Sequence, residues 1–116
     1  MTVRVLLRLE GLAIGFAAVA LYVDGPHSWW LFALLILAPD ISFAAYALGP
    51  SAGAAAYNLL HNLVLPIALG TAAVLTDTEW GIAVALVWLA HIGVDRALGY
   101  GLKYRTAFKD THLQRV

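Results

Sequence analysis

Four runs of about twenty mostly apolar residues, each closed by turn-forming residues, follow one another through almost the whole sequence. The first covers about 3–23 and stops at Asp24-Gly25-Pro26; the second covers about 28–48, from Ser28-Trp29-Trp30 to Gly49-Pro50. The third covers about 51–75, with Ser51 placed to cap its start. After Thr76-Asp77-Thr78 the fourth covers about 79–100, with Asp77 or Thr78 at its N-cap. At ~1.5 Å per residue, each run is long enough to cross ~30 Å of hydrocarbon as an α-helix.

A water-facing fold is excluded by composition. Hydrophobic residues make up 62% of the 116 and charged residues 12%, about half the charge of a soluble domain. A chain this short also buries too little of its surface to hide the rest. The expected fold is an all-α antiparallel bundle of four transmembrane helices, one domain over 1–116, with a short interfacial tail over 101–116. The short connections make sequential helices antiparallel neighbours. Pro39 and Pro66 fall inside the second and third runs, where kinks are expected. The first run does not read as a cleavable leader, because Glu10 interrupts it and no small-x-small site precedes Asp24. With no cysteine, disulfides and thiolate chemistry are absent.

Orientation follows from the basic residues. Arg4 and Arg8 lie near one terminus; Arg96, Lys103, Arg105, Lys109 and Arg115 lie near the other. The positive-inside rule therefore places both termini in the cytoplasm. Trp29, Trp30 and Trp80 fall at the opposite ends of their helices, where interfacial aromatics belong. The net charge of zero gives no sign of a nucleic-acid partner, and none is expected.

Inside the spans, the residues that lipid makes costly are Glu10, Asp40, Asn58, His61, Asn62, His91 and Asp95. Measured from the cytoplasmic ends, Glu10 and Asp95 lie ~10 Å deep, and Asp40, His61 and His91 ~12 to ~15 Å. Asn58, His61 and Asn62 share one helix face, and so do His91 and Asp95. The depths agree, so one buried polar cluster in the cytoplasmic half is expected.

The run from His91 through Asp95, Arg96, Gly99 and Tyr100 to Tyr104, followed by Phe108-Lys109-Asp110-Thr111-His112-Leu113, resembles the closing signature of a small bacterial membrane family catalogued as domain of unknown function 4260. Leu37-Ala38-Pro39-Asp40 and Tyr57-Asn58-Leu59-Leu60-His61-Asn62 extend the resemblance over the whole chain. It implies a multi-pass protein of the bacterial inner membrane and no established activity, so chemistry has to be read from the residues.

Imidazoles and carboxylates from several helices are the ingredients of a metal site in a bundle core, suited to Zn, Fe or Mn. His61, His91 and Asp95 are the expected ligands, Glu10 and Asp40 the proton-transferring groups, and Asn58, Asn62 and Arg96 the surrounding polar shell. Such a centre would act on a lipid or other apolar substrate. The alternatives are a structural hydrogen-bond network, an accessory subunit, or a small proton or ion pathway. Haem between His61 and His91 is disfavoured by the crowd of carboxylates. In the tail, Lys103, Arg105 and His112 are expected at lipid headgroups or as a lid over the cluster. Gly11-x-x-x-Gly15 suits close helix approach, within the chain or in a homodimer, and membership of a larger complex stays open. His27, in the first loop, is expected to be solvated.

Overall fold

The structure, a computed structural model, describes residues 2–104 and 111–115. It has four stretches long and apolar enough to cross a membrane: Val3–Asp24, Trp29–Leu48, Pro50–Leu75 and Glu79–Leu98. No strand occurs among the described residues; Lys103 and Thr111 form an isolated bridge.

The first stretch is one helix, α1 (Val3–Asp24), started by Thr2, whose Oγ1 accepts a hydrogen bond from the Val5 amide. Its buried residues, Gly11, Gly15, Ala18 and Tyr22, run at helical spacing down one side. That side lies against the last long helix, α5 (Glu79–Leu98), the most buried of the spans. A Cβ on Gly93 would sit 2.4 Å from the Gly15 nitrogen and 2.7 Å from the Gly11 carbonyl oxygen. The two backbones therefore touch, and the Gly11–Gly15 face is covered by α5 of the same chain. α5 ends at Gly99, whose left-handed φ of 99° lets the Gly99 and Tyr100 amides turn back to the carbonyls of Arg96 and Asp95.

The second and third stretches are not single α-helices. The second is α2 (Trp29–Leu35) followed by a 3₁₀ helix (Ala38–Leu48). The third is α3 (Pro50–His61), an interruption at Asn62 and Leu63, then α4 (Val64–Leu75). Pro66 accounts for that interruption, since it cannot donate to the carbonyl four residues back and its ring crowds it. α3 begins at Pro50 after Gly49, and Ser51 makes no capping bond.

An eleven-residue 3₁₀ run is unusually long, and its register against α3 explains it. Three residues of 3₁₀ helix rise ~6 Å, the same as four residues of α-helix. Asp40, Phe43 and Tyr46 thus stay in step with His61, Tyr57 and Gly53 along the whole antiparallel pair. Asp40 meets His61, Phe43 stacks on Tyr57 with centroids 5.8 Å apart, and the Tyr46 ring occupies the space a Cβ would need at Gly53.

Two packed groups result: α1, α2 and α4 against α5, and the 3₁₀ helix against α3. At the end away from the termini, Tyr22, Ala83 and Val87 form an apolar core with Phe32 and Leu35 beside it. The Tyr22 hydroxyl donates to the Ser28 carbonyl. His27 is packed, contrary to the expectation of a solvated loop residue. Its ring lies 4.9 Å from that of Tyr22, and Nδ1 is 4.0 Å from Glu79 Oε2.

Gly93→Ala is expected to destabilise the chain by about 1–3 kcal/mol through overpacking against backbone. Unfolding in mixed detergent micelles would measure it; an unchanged midpoint would mean that α1 and α5 can separate freely.

Candidate metal centre

The site is built on the helix breaks. The last four carbonyls of an α-helix lack helical partners, and in hydrocarbon water cannot supply them. In α3 these are the carbonyls of Asn58, Leu59, Leu60 and His61. Asn62 Nδ2 donates to the first two at 2.9 and 2.8 Å. Trp88 Nε1 donates to Leu60 at 2.6 Å, and Arg96 Nη2 to His61 at 3.1 Å. Asn62 Oδ1 accepts from the Leu65 amide, so one side chain joins both halves of the span. In the second span the change to 3₁₀ geometry turns the Asp40 amide to Leu37, releasing the Ile36 carbonyl. His91 Nδ1 takes it at 2.5 Å.

These contacts set the histidine tautomers. His91 Nδ1 faces the Ile36 carbonyl and His61 Nδ1 faces the Tyr57 carbonyl at 2.9 Å. A carbonyl only accepts, so both Nδ1 atoms carry hydrogen, and in the neutral rings both Nε2 atoms present lone pairs. Those two nitrogens lie 3.1 Å apart. Asp40 Oδ1 is 3.2 Å from His61 Nε2 and 3.1 Å from His91 Nε2. Asp95 Oδ2 is 3.5 and 3.2 Å from the same atoms. With both rings neutral and both carboxylates ionised, four acceptors, drawn from three helices and all within 4.8 Å of one another, converge with no hydrogen among them.

This donor set fits a divalent cation. Four ligands at ~2.0–2.2 Å in a tetrahedron lie about 3.3–3.6 Å from each other, close to the 3.1–3.5 Å separations that involve the two imidazoles. An Nδ1–H held by a backbone carbonyl is also the usual way a metal-ligating histidine is oriented. Both imidazoles are buried and both aspartates half-buried. The Tyr57 ring stacks on His61 at 3.7 Å, fixing its plane. Two nitrogens only 3.1 Å apart leave no room for a macrocycle between them.

The other expected site residues fall elsewhere. Glu10 is exposed on α1 and contributes nothing to the group. It precedes Gly11, and the turn per residue carries it off the face that meets α5. Asp40, expected as a proton-transferring group, is one of the four convergent donors. Asn62 serves the helix break. Asn58 holds the tail, its Oδ1 accepting from the Lys103 amide at 2.6 Å and its Nδ2 donating to the Lys103 carbonyl at 2.8 Å. Lys103 is therefore not extended toward headgroups. It is buried, its Nζ 4.5 Å above the Tyr57 ring, and burial lowers its pKa against the opposing pull of Asp95 and Asp40. His112 packs under Leu102 and beside Arg96, and burial first, then Arg96, lowers its pKa. Arg105 lies outside the described residues. Trp88 holds the α3 break, and its indole N–H at membrane depth was the available signal.

Beside the group, Leu35, Ala38, Pro39, Ile41, Leu60, Val84 and Trp88 line an apolar groove of about 280 Å³. It borders the turn that carries Asp40.

The fold and site thus define a class, a four-span helical membrane protein whose broken helices converge on two histidines and two aspartates. The chain belongs to the family described as Domain of unknown function (DUF4260), whose model matches residues 4–116. No curated protein and no solved structure matches it.

Trp88→Phe keeps the bulk of the ring and removes the donor to Leu60. It is expected to cost about 1–2 kcal/mol, the penalty for an unpaired carbonyl, in the same micelle unfolding assay.

Proposed function

We propose that this protein holds one divalent metal ion, zinc, iron or manganese, inside the membrane, on His61, His91, Asp40 and Asp95. The observation that carries this reading is the pair of Nε2 lone pairs, 3.1 Å apart and facing two carboxylate oxygens. Only a cation or added protons can reconcile four such acceptors. When bound, the ion would supply Lewis acidity toward a carbonyl or phosphoryl oxygen or a water. The apolar groove beside Asp40 suits a lipid chain, and the substrate class we favour is a lipid or another apolar molecule. A catalytic zinc usually keeps one position free. Asp40, with its side chain 31% exposed and its chain neighbours Pro39 and Ile41 lining the groove, is the ligand we assign to yield that position.

The distribution of Lys and Arg supports a cytoplasmic location for both termini and for the half of the bundle that contains the site. A second reading has an observation of its own. The same residues tie the 3₁₀ helix and α3 to α5 through His91–Ile36, Arg96–His61 and Trp88–Leu60. Protons in place of a metal would make the group a structural plug or part of a proton path.

Elemental analysis of the full chain purified in lipid nanodiscs separates the two. One equivalent of metal is expected in the wild type, and less than a tenth of that in His61→Ala and His91→Ala with helicity retained. Asp40→Asn is expected to weaken binding by at least ~10-fold. Acid should release the metal, since each imidazole nitrogen must stay unprotonated to ligate. Folded protein that is metal-free and takes up none of the three added ions would leave the plug as the answer.

A further inference from the structure

A second mismatch, of the opposite sign, occurs where the tail returns to the bundle. The Leu102 amide donates to His112 Nδ1 at 2.8 Å, and the Leu102 carbonyl accepts from the His112 amide at 2.9 Å. An amide can only donate, so His112 Nδ1 bears no hydrogen. The neutral ring then carries its hydrogen on Nε2, and burial together with the Arg96 charge keeps the ring neutral. Yet Nε2 lies 3.2 Å from Arg96 Nη1, which is also a donor. Arg96 is not free to turn away, because Nη2 is bonded to the His61 carbonyl. Two N–H groups held this close need a shared acceptor.

His112 also lines a cavity of about 620 Å³ at the end of the bundle where the chain termini meet, as the Arg4 bond to the Gln114 carbonyl shows. Asn58, Lys103 and Arg115 line it too, and among the described residues that line it none is a carboxylate. Asp95, the nearest acid in sequence to Arg96, turns Oδ2 to His61 and His91. The cavity lies beyond Gly99, where α5 and the last apolar span stop.

We infer that Arg96 and His112 form an oxyanion site, taking one phosphate or carboxylate group whose oxygen accepts from Arg96 Nη1 and His112 Nε2, with Lys103 and Arg115 lining the cavity around it. Charge-assisted hydrogen bonds from a guanidinium suit such a group. The inference stands on the donor conflict and does not require a metal at the neighbouring site. The oxyanion belongs either to a lipid headgroup or to a soluble molecule.

Two arms distinguish these sources, using the full chain in nanodiscs. In phosphatidylcholine discs, inorganic phosphate is titrated and the ¹⁵N shift of His112 Nε2 followed. In mixed phosphatidylglycerol and phosphatidylcholine discs, native mass spectrometry counts retained lipid. His112→Asn keeps an acceptor near the Nδ1 position for Leu102 and removes the Nε2 donor; Arg115→Gln changes the cavity wall and leaves that anchor intact. Binding of one phosphate, reduced by about tenfold or more in His112→Asn, supports a soluble oxyanion. Selective retention of one phosphatidylglycerol, lost in the same variant, supports a headgroup. No binding in either arm, or binding undiminished in both variants, overturns the site.

Discussion

A carbonyl that loses its helical partner inside hydrocarbon has no water to turn to, and must be bonded by another part of the chain. This protein releases at least five, four at the end of α3 and one at Ile36. The groups that answer them are His91, Trp88, Arg96 and Asn62. Three of these belong to α5. The breaks are therefore what bind the 3₁₀ helix and α3 to the rest of the bundle, where side chains and not broad helix contact provide the join.

The same repair produces the chemistry. Because His91 uses its Nδ1–H on Ile36, and His61 its own on Tyr57, the remaining nitrogens point inward and, in the neutral rings, are bare acceptors. Arg96 holds the His61 carbonyl with one nitrogen, so its other nitrogen is fixed against His112. The two breaks thus set the proposed cation cluster next to the proposed anion pair. With two aspartates balanced by a divalent ion, Arg96 and Lys103 would keep the local charge positive, which favours an anionic group alongside.

Much of this was legible in the residues. Hydropathy and turn residues mark the four spans, because ~20 apolar residues are what the bilayer requires. Depth along each span brings Asp40, His61, His91 and Asp95 to one layer, since rise per residue is fixed. The same argument misplaces Glu10, whose depth is right but whose direction is set by the glycine face one residue on. For Lys103 the charge alone leaves headgroups and a lid over the cluster both open; Asn58, forty-five residues away, holds its backbone inward.

The sequence by itself determined that the chain spans a membrane four times and that a few ionisable groups share a depth. Length and polarity alone decide those, and both are local properties. Only the tertiary structure decided which groups meet, which tautomer each histidine adopts and which residue mends each break. Those depend on helix rotation and on a 3₁₀ register matched to α3, and on the partners of carbonyls that no side-chain pattern records.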